Sequence, residues 1–240
     1  MHGKFLIRKS GAYETQPQPM SAEECDESPA GSVPPIVLVH GFADTAATWD
    51  PLVPLLDRAT EVHRWDLPGH GSRIDADKEQ LSRDAAVAEL AHRVAALGAP
   101  VHLVGHSLGG YLAMTLAIRH PDLVRSLCMV SSGPGFRDAE ARAKWNRYMD
   151  RIAERAGMAT SAAGLGHQPD SYVMDHLREI SCPLLQVLGA EDTRYAAGAA
   201  YLRRVFPDSR LVTIPGAGHH PQVTHPALVA AALLDREPCL

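Results

Sequence analysis

The sequence predicts an α/β protein built on a mostly parallel, doubly wound sheet that carries a small helical insertion. Three observations predict it. Short β-branched apolar runs recur six times along the 240 residues. Helix-length amphipathic stretches separate them, which implies right-handed crossovers and helices on both faces of the sheet. Between residues 133 and 180 the alternation stops and no buried-strand run occurs.

The elements follow in order. A short strand is expected near 4–8, then a polar, proline-bearing loop to about 34. Ile36-Val37-Leu38-Val39 is continuous and apolar, as a strand buried on both faces requires. Comparable runs lie at Val62–Trp65, Val101–Val104, Leu123–Val130, Leu184–Leu188 and Leu211–Ile214. Helices are expected over 46–58, 82–97, 108–119, 197–205 and 222–235. In the interruption, 139–156 reads as one charged amphipathic helix, 157–169 as a loose glycine-bearing segment, and 170–178 as a second short helix. The expected organisation is therefore an N-terminal strand and loop (1–34), a core (35–132 and 181–240) and an inserted helical segment (133–180).

Composition narrows the function. With 45% apolar and 21% charged residues, wholesale disorder is excluded. The net charge of −5 argues against binding nucleic acid or an anionic membrane surface. No apolar run is long enough to span a bilayer, and the first residues lack the apolar core of a signal peptide. The four cysteines form no CxxC, which suits the cytoplasm. The expected partner is a small-molecule substrate, and the chain is expected to be a monomer or a homodimer.

Ligands bind beyond the carboxyl ends of parallel strands, so the residues that follow each run carry the information. After Val101–Val104 comes Gly105-His106-Ser107-Leu108-Gly109-Gly110, a G-x-S-x-G pattern at a strand-to-helix junction. The turn is too tight for side chains two positions either side of the serine, and it lifts the Ser107 hydroxyl to a helix N-terminus. The bare pattern arises by chance about 0.09 times in a chain of this composition, so its placement carries the weight. After the first run comes His40-Gly41-Phe42, a sharp loop able to present a backbone N–H beside the serine. The N–H groups of Phe42 and Leu108 would then form an oxyanion hole, and His40 would brace the loop.

A serine nucleophile needs a base. Of thirteen histidines, only His219 and His220 lie in a glycine-rich loop after the last strand, and His219 is preferred to His220. The base needs a carboxylate to set its tautomer. Asp192 follows Leu184–Leu188 at a strand's carboxyl end, and Glu191 beside it is expected to turn outward. Phe42, Tyr111, Trp145 and Tyr148 are candidates for the pocket wall, the last two equally suited to packing the inserted helix onto the body. Arg137, Arg142, Lys144 and Arg147 read as a solvated helix face balanced by Asp138, Glu140 and Asp150. His219, His220 and His225 are close in sequence, but there is no HExxH and no acid in their loop, so no metal and no cofactor are expected.

These segments, with Asp66-Leu67-Pro68-Gly69-His70-Gly71-Ser72, resemble the α/β-hydrolase superfamily from about residue 35 to the C-terminus. The resemblance implies Ser107 as nucleophile, Asp192 as acid, His219 as base, Phe42 and Leu108 as oxyanion donors, and 133–180 as a short cap. Ser107 stands where epoxide hydrolases and haloalkane dehalogenases need a carboxylate. The implied activity is hydrolysis of a small or medium carboxylic ester, thioester or lactone. The alternatives are a carbon–carbon hydrolase or lyase using the same trio, or a ligand-binding protein on the same scaffold.

Overall fold

The computed structural model describes residues 33–235 except Ala59. The strand expected at 4–8, its loop, Cys25 and Cys239 lie outside the described residues.

All six apolar runs form strands: β1 (Ile36–Val39), β2 (Val62–Arg64), β3 (Val101–His106), β4 (Val124–Val130), β5 (Leu184–Gly189) and β6 (Arg210–Ile214). They make one sheet in the order β2-β1-β3-β4-β5-β6, with every pair parallel. The order reverses between β1 and β3, which is where a crevice opens in such sheets.

The run in β1 is buried throughout because alternate residues enter different cores. Val37 and Val39 join Leu103, Leu127 and Met129 beneath α2 (Arg83–Ala95) and α3 (Leu108–Arg119). Ile36 and Leu38 join Val104, Cys128 and Val187 on the other face, under the helices of 53–56 and 226–234. Each fully buried leucine contributes about 1.5–3 kcal/mol, so two such layers hold the sheet flat-side to helix on both faces.

The helices differ from expectation at three places. The stretch 46–58 divides into a 3₁₀ turn (Ala46–Trp49) and α1 (Val53–Leu56), because Pro51 has no N–H to continue a ladder. The last stretch divides into α8 (Pro221–Thr224) and α9 (Pro226–Leu234), with His225 before Pro226 driven out of the helical region at φ −136° and ψ 51°. The helix expected from 197 begins four residues earlier, as α7 (Thr193–Val205).

Between β4 and β5 lie α4 (Ala139–Arg155), α5 (Ala163–Gly166) and α6 (Tyr172–His176). Asp138 caps α4 by accepting from the Ala141 N–H at 2.8 Å. The loose segment expected over 157–169 is corrected: it contains a 3₁₀ turn and α5, with Ala163 and Leu165 fully buried. Its glycines allow close approach rather than flexibility. A Cβ on Gly164 would lie 2.7 Å from the Leu81 carbonyl oxygen, and one on Gly166 2.5 Å from Met149 Cε. The segment is fastened to α2 by the buried Arg83, whose guanidinium grips the Asp170 carboxylate with two bonds at 2.5 and 3.0 Å. Arg83 and Arg119 also lie over the Tyr172 ring.

Candidate active site

Ser107 leaves β3 at φ +50° and ψ −113°, a conformation that costs a non-glycine residue about 1–3 kcal/mol. Its neighbours show why. A Cβ on Gly105 would stand 2.4 Å from the Gly109 oxygen and the Gly110 nitrogen. A Cβ on Gly109 would stand 2.1 Å from the Val39 carbonyl oxygen, so the start of α3 is pressed against the end of β1. Ser132, at the end of β4, donates its hydroxyl to the Ser107 carbonyl at 2.6 Å and braces the turn.

The loop after β1 lies beside this turn, since a Cβ on Gly41 would sit 3.3 Å from Ser107 Cβ. Among the described residues neither the Phe42 nor the Leu108 backbone N–H has a protein partner. His40 ties the loop: its Nδ1 donates to the Gly41 carbonyl at 2.7 Å and its Nε2 accepts from the Leu67 N–H at 2.9 Å. Asp66 accepts from the Ala46 and Ser72 N–H groups and from the Ser72 hydroxyl. His70 is buried, donates Nδ1 to the Pro68 carbonyl, and is held by burial at a pKa of about 4.

Asp192 and His219 meet across two loops, with Asp192 Oδ2 2.7 Å from His219 Nδ1. A Cβ on Gly189 would lie 2.0 Å from the Gly218 oxygen, so only glycine lets the loops touch. Asp192 occupies the cap position of α7, yet its carboxylate turns away from the helix. Burial pushes its pKa up, but the bond and charge of His219 outweigh this and hold it below the usual carboxylate range. Glu191 is exposed. His220 points elsewhere, its Nε2 3.7 Å from Asp44 Oδ2.

Sequence reasoning missed Tyr195. Its hydroxyl is 3.2 Å from Ser107 Oγ, and its ring stacks on His219. Starting α7 at 197 hid it, whereas a start at Thr193 puts Tyr195 in the first turn, directly after Asp192.

Ser107 and His219 open into a cavity of about 310 Å³. Phe42, Leu108, Tyr111, Trp145 and Tyr148 all line it, so the structure gathers every expected pocket residue at one place. Trp145 is fixed by donating Nε1–H to the Gly166 carbonyl at 3.0 Å. Arg194 reaches the same cavity with its guanidinium 4.8 Å from the centre of the Tyr148 ring. Three basic residues of the insertion have partners of their own. Arg137 pairs with Asp175, Arg142 donates to the Phe136 and Arg137 carbonyls, and Lys144 faces Glu140.

Residues 36–232 match the alpha/beta hydrolase family. Over 240 aligned residues the chain is 30% identical to a pimeloyl-[acyl-carrier protein] methyl ester esterase of Aeromonas hydrophila, covering 82% of this chain and 92% of that one. Among solved structures it is similar to a thermophilic esterase from Thermogutta terrifontis, at TM-score 0.70 and 25% identity over 85% of this chain and 89% of the other. It shares its fold with MenH from S. aureus, at TM-score 0.74 and 19% identity over 88% and 95% of the two chains. Among the described residues no helix is long and apolar enough to cross a membrane.

Proposed function

The chain belongs to the alpha/beta hydrolase family, and from that premise we propose that it hydrolyses a small or medium carboxylic ester, thioester or lactone, with Ser107 as nucleophile, His219 as base and Asp192 as its carboxylate. The observation that carries the reading is the meeting, in one largely apolar cavity, of a strained serine turn and a carboxylate-bound histidine.

Asp192 accepts the Nδ1 proton of His219, leaving Nε2 free to take a proton. As the Ser107 Oγ–carbon bond forms, its proton passes to Nε2 and the carbonyl π electrons move to oxygen. The N–H groups of Phe42 and Leu108 receive that charge, aided by the N-terminus of α3. His219 then protonates the departing alcohol or thiol, and water repeats the sequence on the acyl-enzyme. The segment 133–180 acts as a short cap on a core of 35–132 and 181–240, with Trp145, Tyr148 and Ile152 shaping the acyl pocket. The likeness to a methyl ester esterase supports an ester as the bond cleaved. The free, unpaired Cys128 and Cys182 suit a reducing cytoplasm.

A second reading, carbon–carbon hydrolysis or lyase chemistry by the same trio, is favoured by one observation. Arg194 places a cation at the cavity, where it suits a substrate bearing a second carboxylate. The test is hydrolysis of p-nitrophenyl acetate, butyrate and octanoate by wild type and Ser107→Ala. Turnover confined to the wild type supports the ester reading. A serine-reactive protein that leaves all three esters intact supports the second.

A further inference from the structure

Behind the Ser107 turn three side chains from three separate segments converge without any role in the proposed reaction. They are Asp44, after β1; His106, at the end of β3; and His220, after β6. One ligand atom of each lies within 4.8 Å of the others. Their separations along the chain hid them from sequence reading, which weighed His220 against His219 and His225.

The protonation pattern is informative. His106 Nε2 lies 2.9 Å from the His219 backbone carbonyl, which can only accept, so Nε2 carries the hydrogen. The His106 ring is buried beside the His219 and His220 rings, with centroids 4.8 and 4.6 Å away, and no acceptor lies within hydrogen-bond distance of its Nδ1 to receive a second proton. Its Nδ1 is therefore a bare lone pair. That lone pair faces Asp44 Oδ2 at 3.9 Å. Asp44 Oδ1 already accepts from the Thr45 N–H, and Oδ2 is an acceptor as well. Both Asp44 Oδ2 and His106 Nδ1 are buried without a hydrogen-bond partner, and His106 is only 1% exposed. Two buried acceptors this close, each without a partner, are left with their desolvation unrepaid unless something positive stands between them. His220 completes the set from the solvent side, its Nε2 3.7 Å from the same oxygen and its ring half-exposed.

We propose that Asp44, His106 and His220 bind a divalent transition-metal ion, of which zinc is the best match. Two imidazole nitrogens and one carboxylate oxygen are a donor set for zinc and its neighbours rather than for calcium or magnesium. As metal-ligating histidines commonly do, His106 donates its other ring N–H to a carbonyl, that of His219. Ligands about 2.0–2.2 Å from zinc stand roughly 3.3–3.5 Å apart. The 3.9 Å spacing between His106 and Asp44 closes by a few tenths of an ångström through a shift of Asp44, and His220, on an exposed loop, moves in toward both from 3.7 Å of Asp44 and within 4.8 Å of His106. The fourth position opens to water on the His220 side. The ion takes no part in acyl transfer. It fastens the 215–220 loop, because His220 binds the ion and the His219 carbonyl is held by His106.

The test is zinc binding by calorimetry, with metal content measured after dialysis of the chelator-stripped protein. Wild type and Ser107→Ala are expected to take up one equivalent and to melt at a higher temperature with zinc. Asp44→Asn and His220→Ala are expected to weaken binding at least tenfold to a hundredfold, while His225→Ala and His167→Ala leave it unchanged. His106 is packed against Gly41, so its replacement is avoided as a threat to folding. No stoichiometric uptake, or uptake that survives both Asp44→Asn and His220→Ala, overturns the proposal. Failure of ester hydrolysis would leave it untouched.

Discussion

Tyr195 lies flat against His219, with ring centroids 5.2 Å apart and planes 8° from parallel. The same residue holds Ser107 Oγ at 3.2 Å, so one side chain touches both ends of the proposed proton transfer. In this resting arrangement the serine hydroxyl is hydrogen-bonded to Tyr195. The stack and the hydrogen bond separate by mutation. Tyr195→Phe keeps the ring, and one neutral hydrogen bond is worth about 0.5–1.5 kcal/mol, so kcat is expected to change by less than about tenfold. Tyr195→Ala lets the imidazole tilt, and a misplacement near 1 Å costs about a hundredfold. Steady-state kinetics on one ester compares the two.

Asp192 holds the His219 tautomer through a single 2.7 Å bond. Asp192→Asn preserves shape but stabilises the wrong tautomer, so kcat is expected to fall about 10³–10⁴-fold with a much smaller change in KM. Glu191→Gln, altering the exposed neighbour, is expected to be silent. Equal effects would mean that the two acids had been assigned wrongly.

The pocket wall predicts chain-length selectivity. Ile152 lines the cavity from α4 and is partly exposed, so Ile152→Trp fills space without disturbing the core. The expected result is about a tenfold loss of kcat/KM for the octanoate ester with little change for acetate. A uniform loss on both would place the residue outside the acyl path.

Arg83 predicts a pH dependence of stability. Its partners Asp170 and Asp84 have pKa values lowered first by hydrogen bonding to Arg83, against a smaller opposing effect of burial. A carboxyl lowered in the folded state contributes stability above its unfolded pKa, near 4, and loses it as pH falls through the folded value. Breaking a buried ion pair costs about 3–5 kcal/mol, but these carboxylates are half-exposed, so about 1–3 kcal/mol is expected for Arg83→Met at pH 7. Denaturant midpoints should differ clearly at pH 7 and draw together progressively as pH falls below about 4. A difference that does not shrink with falling pH would point to packing instead of charge.

The sheet and the core of the site were readable because their signals are local. A strand buried on both faces is written as a run such as Ile36–Val39, and the Ser107 turn is written in glycines two residues away. Asp192 and His219 were paired from their places after strands, and the structure brings them 2.7 Å apart. Tyr195 escaped because its importance lies in two contacts from distant loops, and because the start of α7 is masked by Asp192, whose side chain serves the histidine rather than the helix. The glycines of α5 were misread for a related reason. Gly164 and Gly166 mark close approach to Leu81 and Met149, and those neighbours are separated from them along the chain. The Asp44–His106–His220 cluster was equally invisible, since its members meet only once three distant segments, one of them the end of β3, have folded together.

The most direct test of the central claim is intact and peptide mass spectrometry of the protein quenched during turnover of p-nitrophenyl butyrate. A butyryl group is expected on Ser107, absent from Ser107→Ala and accumulating in a His219→Ala background only slowly. Undiminished hydrolysis by Ser107→Ala, or an acyl group on another residue, would contradict it.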